Sequence, residues 1–425
     1  MNAVKYPRLG EEVYTHAAEN GLTVRVVKKP GFTRSVAYFV TDFGSIHTDF
    51  ELEGETVHAP AGIAHFLEHK MFELPGRDVM GEFAALGANV NAFTSYDMTA
   101  YYFSCADNFY ENLSLLLEFV STPWFPAESV EREMGIIDQE IGMNEDTPES
   151  RVFEDLMKCM YDAHPIRVPI LGSRESLREI TPELLYKCHK AFYTPANMIL
   201  CVVGDVEPEK VTALADRILG KEKRPVGKKL SPWKETMTPK TADCDSVMEV
   251  AMPMFQMAFK SEPVGRGEEA MRAEVVGDLA AEALLGESSA LYLKLYEQGV
   301  IDSSFGGGFE SVDGCAMLSC GGDSEDAPAI RAAILKRAAE LAEKGIPQED
   351  FLRMKRSAVG RRIRDLDSFD SVCFRVCAYH FSGFDYFDFP AVYADVRQEE
   401  IREFLSRVVK AERCSLSVIY PKEEV

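Results

Sequence analysis

The sequence predicts an α+β protein built from two homologous domains, each an antiparallel-rich sheet covered by helices. Three observations predict it. Short runs rich in β-branched and aromatic residues come in pairs, helical periodicities cluster after them, and the same succession recurs on both sides of a breaker-rich tract. Paired strands followed by clustered helices suit an antiparallel-rich sheet covered on one face; a doubly wound parallel sheet would alternate strand and helix one for one.

In the first half the strands are expected in "GLTVRVVKKP" (21–30), "RSVAYFVTDFGS" (34–45), "ANVNAFTSYDMTAYYFSC" (88–105) and "MILCVVGDV" (198–206). In the second they are expected in "SVMEVAMPMFQMAFKS" (246–261), "SSFGGGFESVDGCAMLSCGG" (303–322) and "RCSLSVIYP" (413–421). The helical segments repeat more closely. Residues 109–142 and 329–364 each read as helix, short turn with Pro126 or Pro347, and second helix. The tract 220–245, "GKEKRPVGKKLSPWKETMTPKTADCD", is polar and aperiodic, so the domains are expected at 1–221 and 246–425 with a linker at 222–245.

The 425 residues are 46% hydrophobic and 27% charged, as expected of a soluble globular chain of more than one domain. A net charge of −23 argues against nucleic-acid partners, whose phosphates need basic surface. No apolar run approaches the ~18 residues of a membrane span and the first residues lack a signal-peptide core, so the expected location is the cytoplasm, with no membrane contact. Ten cysteines without a CxxC pair read as reduced, mostly buried thiols.

Chemistry is concentrated in "GIAHFLEHKMFE" (62–73). On a helix, His65 and His69 point the same way with Glu68 beside them, a spacing that lets two imidazoles share one ion. The pattern equally fits polar residues on a solvated face, and a third ligand would decide. The helix "SVEREMGIIDQEIGMNED" (129–146) offers candidates. With Ile137 at zero, Val130, Met134 and Ile141 fall within about 60° on one side, while Glu133 and Glu140 fall about 40° and 60° away on the other. Carboxylates bordering a core need partners, and a metal or a metal-bound histidine suffices. Aligned through the two prolines, Glu133 and Glu140 become Met354 and Arg361 in the second half, so one half at most binds a metal. Two imidazoles and one carboxylate with a position left open form the catalytic zinc pattern, in which Glu68 would take a proton as general base.

HxxEH is the inverted zinc motif, and the chain resembles the M16 (pitrilysin/insulinase) metallopeptidases along nearly its whole length. The matches are "GIAHFLEHKMFE", "NAFTSYDMTAYYF" (91–103), "EREMGIIDQEI" (131–141), "HPIRVPILGSRESL" (164–177) and "YTPANMILCVVGDV" (193–206). The resemblance implies two α/β-roll domains, Zn2+ held by His65, His69 and Glu140, Glu68 as catalytic base, and Glu133 as the carboxylate behind a ligand. The length is similar to the half-sized members, such as the mitochondrial processing peptidase beta subunit, which work as dimers. The implied activity is hydrolysis of unfolded peptides in a chamber between subunits; the alternative is a catalytically silent structural or peptide-binding subunit.

Alternation along 90–96 suits a half-buried strand. The resemblance makes it an edge to which substrate adds as another strand, with Asn91, Ala92 and Phe93 binding the peptide. The glycines at 306–308 are followed by no P-loop lysine and read as a bulge or a close backbone approach, and the other six histidines lack ligand spacing. Active family members usually carry an arginine and, several residues later, a tyrosine in the second half. In "LYEQGVIDSSF" (295–305) Tyr296 and Asp302 stand near those positions. Neither supplies the missing chemistry, so a homologous partner subunit is expected to bring the arginine and tyrosine in a heterodimer.

Overall fold

The apolar runs of the first half pair into a seven-stranded sheet in the computed structural model, which describes residues 1–422. Its strands are β1 (Asn2–Tyr6), β2 (Glu11–Ala17), β3 (Thr23–Lys28), β4 (Ser35–Thr41), β5 (Ala88–Thr94), β6 (Thr99–Cys105) and β7 (Met198–Gly204). Their spatial order is β1-β2-β3-β7-β4-β6-β5, and only the β3–β7 pair is parallel. The second half forms a five-stranded sheet from β8 (Asp243–Met248), β9 (Met254–Ser261), β10 (Gly306–Val312), β11 (Cys315–Asp323) and β12 (Cys414–Pro421). Here the order is β8-β12-β9-β11-β10, with β8–β12 the parallel pair. Five adjacent strands of the first sheet, β3-β7-β4-β6-β5, therefore correspond in order to the five of the second, β8-β12-β9-β11-β10, and the α+β duplication is borne out.

The helices that matter to the site are α1 (Ile63–Met71), α2 (Val79–Ala85), α3 (Phe109–Ser121) and α4 (Ala127–Glu145). They are followed by α5 (Pro148–Met160), α6 (Gln348–Asp365) and α7 (Phe369–Ser382). Helix α4 has its counterpart in α6, where Met354 is buried and Arg361 turns outward to Glu282. One core in the first unit takes in Ile63, Phe66 and Leu67 of α1, Leu113 and Leu116 of α3, and Val130, Ile137 and Ile141 of α4. Val130, Ile137 and Ile141 are the stripe that the helical periodicity identifies.

The compact units are not the sequential halves 1–221 and 246–425. The first consists of residues 1–141, 169–231 and 363–387; the second of 142–168, 232–362 and 388–425. Helix α5 buries Val152, Leu156, Met157 and Met160 and packs on β8, β9 and β12 of the second sheet. Helix α7 buries Phe369, Val372, Cys373, Val376 and Cys377 and packs on β4 and β7 of the first. The two helices stand at equivalent places in the repeat, after α4 and after α6, so each repeat lends one helix to the other's sheet.

The tract 222–245 is also more structured than a free linker. Lys228–Lys229 pairs with Asp49–Leu52 in a small sheet of the first unit. Farther on, Trp233 packs edge-on against His164 and Glu235 enters the second unit. There Glu235 Oε1 accepts the N–H groups of Ala163 and His164 at 2.6 and 2.7 Å, and Oε2 accepts Lys260 Nζ at 2.9 Å. The two side chains are only 8% and 1% exposed. Polar composition suggested a solvated tract, but these polar groups are partners of buried ones. The glycine run sits on β10, where a Cβ on Gly307 would overlap the backbone and side chains of Ser319, Cys320 and Leu285, so close approach is its physical reason. All ten cysteines are free and only Cys244 is not buried. Among the described residues no helix is long and apolar enough to cross a membrane.

The buried pair makes a measurable claim. Lys260→Met should lower the free energy of unfolding by about 3–5 kcal/mol in urea titrations, because it leaves the Glu235 carboxylate short of its cation. Burial alone would raise the pKa of Glu235, but the His164 N–H, Lys260 and the Ala163 N–H together hold it below the ordinary carboxylate range. Its stabilisation is therefore complete above the unfolded-state pKa and is lost as pH falls through the folded one. Glu235→Gln should flatten the loss of stability below about pH 4.5, and an unchanged slope would count against the assignment.

Candidate active site

Helix α1 begins at Gly62, whose φ of 89° and close approach to the Leu171 carbonyl leave no room for a Cβ. The turn fixes where the helix starts, and 3.6-residue periodicity then sends Ile63, Phe66, Leu67 and Met71 into the core. His65, Glu68 and His69 lie toward the flank that meets α4. Glu133 and Glu140 face them from the border of α4's apolar stripe, with side chains 13% and 41% exposed.

The structure brings together four of the predicted residues around one point. His65 Nε2 lies 3.6 Å from Glu140 Oε1, His69 Nε2 lies 3.6 Å from Glu140 Oε2, and His69 Nδ1 lies 3.0 Å from Glu133 Oε1. One nitrogen from each of His65 and His69 and one oxygen of Glu140 fall within 4.8 Å of one another. Burial, with a smaller contribution from His69, pushes the His65 pKa down to about 4, so that ring is neutral. Burial also opposes charge on His69, but Glu133, Glu140 and Glu68 outweigh it and raise the pKa. When His69 gives its Nδ1 proton to Glu133, its Nε2 lone pair joins that of His65 and those of Glu140.

Three converging acceptors repel one another unless a cation lies among them. Two imidazoles and a carboxylate suit a borderline ion such as Zn2+, and Glu133, bonded to His69, stands where an outer carboxylate would orient a ligating imidazole and fix its tautomer. Among the described residues His65 has no such support, since its buried Nδ1 finds no hydrogen-bond partner there. The donors present fit a metal.

Glu68 belongs to the cluster without joining the donor set. Burial raises its carboxyl above the ordinary range; the Thr94 hydrogen bond and His69 offset part of this, and Glu140 adds to it. Thr94 Oγ1 donates to Glu68 Oε2 at 2.6 Å. The three residues predicted to bind peptide lie on β5, the last strand of its sheet. Asn91 is exposed and its Oδ1 accepts the Ala92 N–H at 2.8 Å. Phe93 lies beside Phe374 and Tyr102, with ring centroids 5.8 and 6.2 Å away.

Sequence reasoning missed two features. Thr94 is one; period-two alternation groups it with Val90 and Ala92 but does not say that this face meets α1. The other is Lys70, fully buried and bonded to Glu73 and to Ser129 of α4, while Arg132 of α4 reaches Glu73 at 2.8 Å. This bracket ties α1 to the helix that carries both carboxylates. A lysine next to two apolar residues gives no sequence signal of burial.

Residues 54–174 match the family model for Insulinase (Peptidase family M16), and residues 179–358 match the model for the Peptidase M16 inactive domain. The uncharacterized zinc protease YmfH of Bacillus subtilis is 36% identical over 432 aligned residues, covering 99% of this chain and all of that one. The chain belongs to peptidase family M16. Its half-length M16 organisation is shared by an M16-like peptidase structure from Alicyclobacillus acidocaldarius, which superposes over 99% of this chain with a TM-score of 0.94 at 31% identity. The Escherichia coli periplasmic protease PqqL shares the M16 fold at a TM-score of 0.72 and 17% identity, and this chain spans 48% of its length.

The α1–α4 bracket is testable by itself. Lys70→Ala empties a fully buried position and takes from Glu73 one of its two cations, and should cost roughly 2–4 kcal/mol in chemical denaturation, whereas Ser129→Ala should cost only about 1 kcal/mol. Effects below 1 kcal/mol for both would show that the bracket does not hold the two helices together.

Proposed function

We propose that this M16 chain is a zinc-dependent peptidase that hydrolyses peptides bound as an added strand along β5. His65, His69 and Glu140 hold the ion, Glu133 orients His69, and Glu68 is the general base. The observation that carries this reading is the convergence of three metal-donor side chains beside a buried carboxylate that is not one of them. Zinc bound there would polarise the scissile carbonyl and acidify the attacking water. Glu68, its carboxyl made more basic by burial, accepts that water's proton and returns it to the leaving amide nitrogen. Ala92 pairs with the peptide through its main chain at the open edge, and Asn91 and Phe93 flank it, with Phe93 and Phe374 beside alternate side chains. A silent subunit would have no use for Glu68 and Glu133 in their present places.

The roles separate in the laboratory. Glu68→Gln should keep zinc near wild-type occupancy while peptide hydrolysis falls by at least about a hundredfold. His65→Ala, His69→Ala and Glu140→Gln should lose the metal, and Glu133→Gln should weaken its binding by roughly 10 to 100-fold. Loss of zinc from Glu68→Gln would refute the base assignment.

The second half supports a proposal about assembly. Tyr296 is 52% exposed and stacked on Tyr292, where it supplies no cation. Asp302 accepts the N–H and hydroxyl of Ser304 at 2.8 and 2.5 Å, bonds that hold its carboxyl below the ordinary range and leave it an ionised acceptor. An ionised aspartate cannot donate to a developing oxyanion. A homologous half-length subunit bringing an arginine and a tyrosine would complete the site. The chain by itself should therefore cleave peptides at least about tenfold more slowly than when mixed with such a homologue from the same source. Full activity by itself, indifferent to any partner, would exclude the heterodimer.

A further inference from the structure

We infer that Thr94 is the positioning residue for Glu68 and that it makes the base answer to the strand on which the peptide is bound. The inference rests on the reading of Glu68 as general base. Its starting point is strand register. Ser95 N–H donates to the Met98 carbonyl at 2.8 Å, which makes 95 and 98 a hydrogen-bonded pair at the turn between β5 and β6. Pairs along an antiparallel ladder alternate, so Thr94 with Thr99 and Ala92 with Tyr101 are non-hydrogen-bonded pairs. The N–H and C=O groups of Ala92 and Thr94 therefore point away from β6, toward the open edge.

The same residue that offers its backbone to that edge sends its hydroxyl to the base. Thr99 is fully buried and donates its hydroxyl proton to the Phe43 carbonyl at 2.8 Å. Its oxygen lies 3.4 Å from Thr94 Oγ1, and with the Thr99 proton committed to Phe43, the Thr94 proton goes to Glu68 Oε2. A carboxylate with one oxygen pinned has its plane fixed. Glu68 Oε1 has no hydrogen-bond partner among the described residues, and it is the oxygen left to receive a proton. A peptide paired to the Thr94 backbone immobilises the residue that holds Oε2. Binding energy at the edge is then converted into alignment of the base, which acts on kcat and not on peptide affinity.

Thr94→Val tests this, since it keeps the β-branched shape and removes only the hydroxyl. The full-length, zinc-loaded chain, with its partner subunit where one is needed, is assayed on an internally quenched unstructured peptide that the wild type cleaves. Zinc per chain is measured by atomic emission. Peptide affinity is measured by fluorescence anisotropy in the Glu68→Gln background. We expect kcat to fall at least about tenfold, with KM, peptide affinity and zinc content within about threefold of wild type. Thr94→Ser should recover most of kcat, and Thr94→Val added to Glu68→Gln should cost nothing further. A kcat within about twofold of wild type, a parallel loss of zinc or of peptide affinity, failure of serine to rescue, or additivity with Glu68→Gln would each overturn the inference. The two readings fail separately: an active Glu68→Gln sinks the base itself, whereas an inactive Glu68→Gln that keeps zinc, beside a fully active Thr94→Val, sinks only the role of Thr94.

Discussion

The site depends on how α1 is held against α4. These helices bring together acceptors that would separate if they were free: two imidazoles from one helix, two carboxylates from the other, and a third carboxylate alongside. Apolar packing does the holding. Phe66 and Leu67 of α1 and Val130, Ile137 and Ile141 of α4 lie in one core, and each such side chain contributes about 1.5–3 kcal/mol by burial. The Lys70–Glu73–Ser129–Arg132 bracket adds direction to that adhesion, because hydrogen bonds fix the register of one helix on the other where apolar contacts allow slip. With the register fixed, His69 meets Glu133 and both histidines meet Glu140. The acceptors are thus arranged for a cation before one binds, and the protein's packing bears the cost of arranging them.

What the sequence made legible follows from periodicity. Helical spacing alone groups His65 with His69 and sets Glu133 and Glu140 at the border of a stripe through Ile137, and the structure places them so. The strand repeats are legible for the same reason, which is why the correspondence of β3-β7-β4-β6-β5 with β8-β12-β9-β11-β10 could be anticipated as a duplication. Features that depend on which surface meets which were not legible. Nothing in the sequence marks Lys70 as buried, since lysine rarely is, and only the neighbourhood of Glu73 and Ser129 explains it. Thr94 reads as one residue of an alternating strand face with Val90, Ala92 and Tyr96, and its hydroxyl gains a role only when that face is known to look at Glu68. The 222–245 tract reads as a linker from composition, yet Glu235 is polar because it serves the buried Lys260. In each case local propensity was right and the tertiary partner was the missing information.

The exchange of α5 and α7 follows from the same distinction. Both helices are amphipathic, and nothing in an apolar stripe specifies the sheet it will cover. A helix that follows α4 or α6 in sequence would be expected to return to its own sheet. Instead Val152, Leu156 and Met157 cover strands of the second unit, and Val372, Cys373 and Val376 cover strands of the first. Neither unit is therefore complete without chain from the other repeat: the first lacks the cover over β4 and β7 until residues 363–387 are present. Strands β4 and β6 are adjacent, and β6 carries β5, the edge at which Thr94 meets Glu68. The candidate metal donors and Glu68 all lie in the first repeat, but the sheet on which they are mounted is finished by the second. That division explains how the second repeat can lose every donor, with Met354 and Arg361 where Glu133 and Glu140 stand in the first, and still be needed by the site.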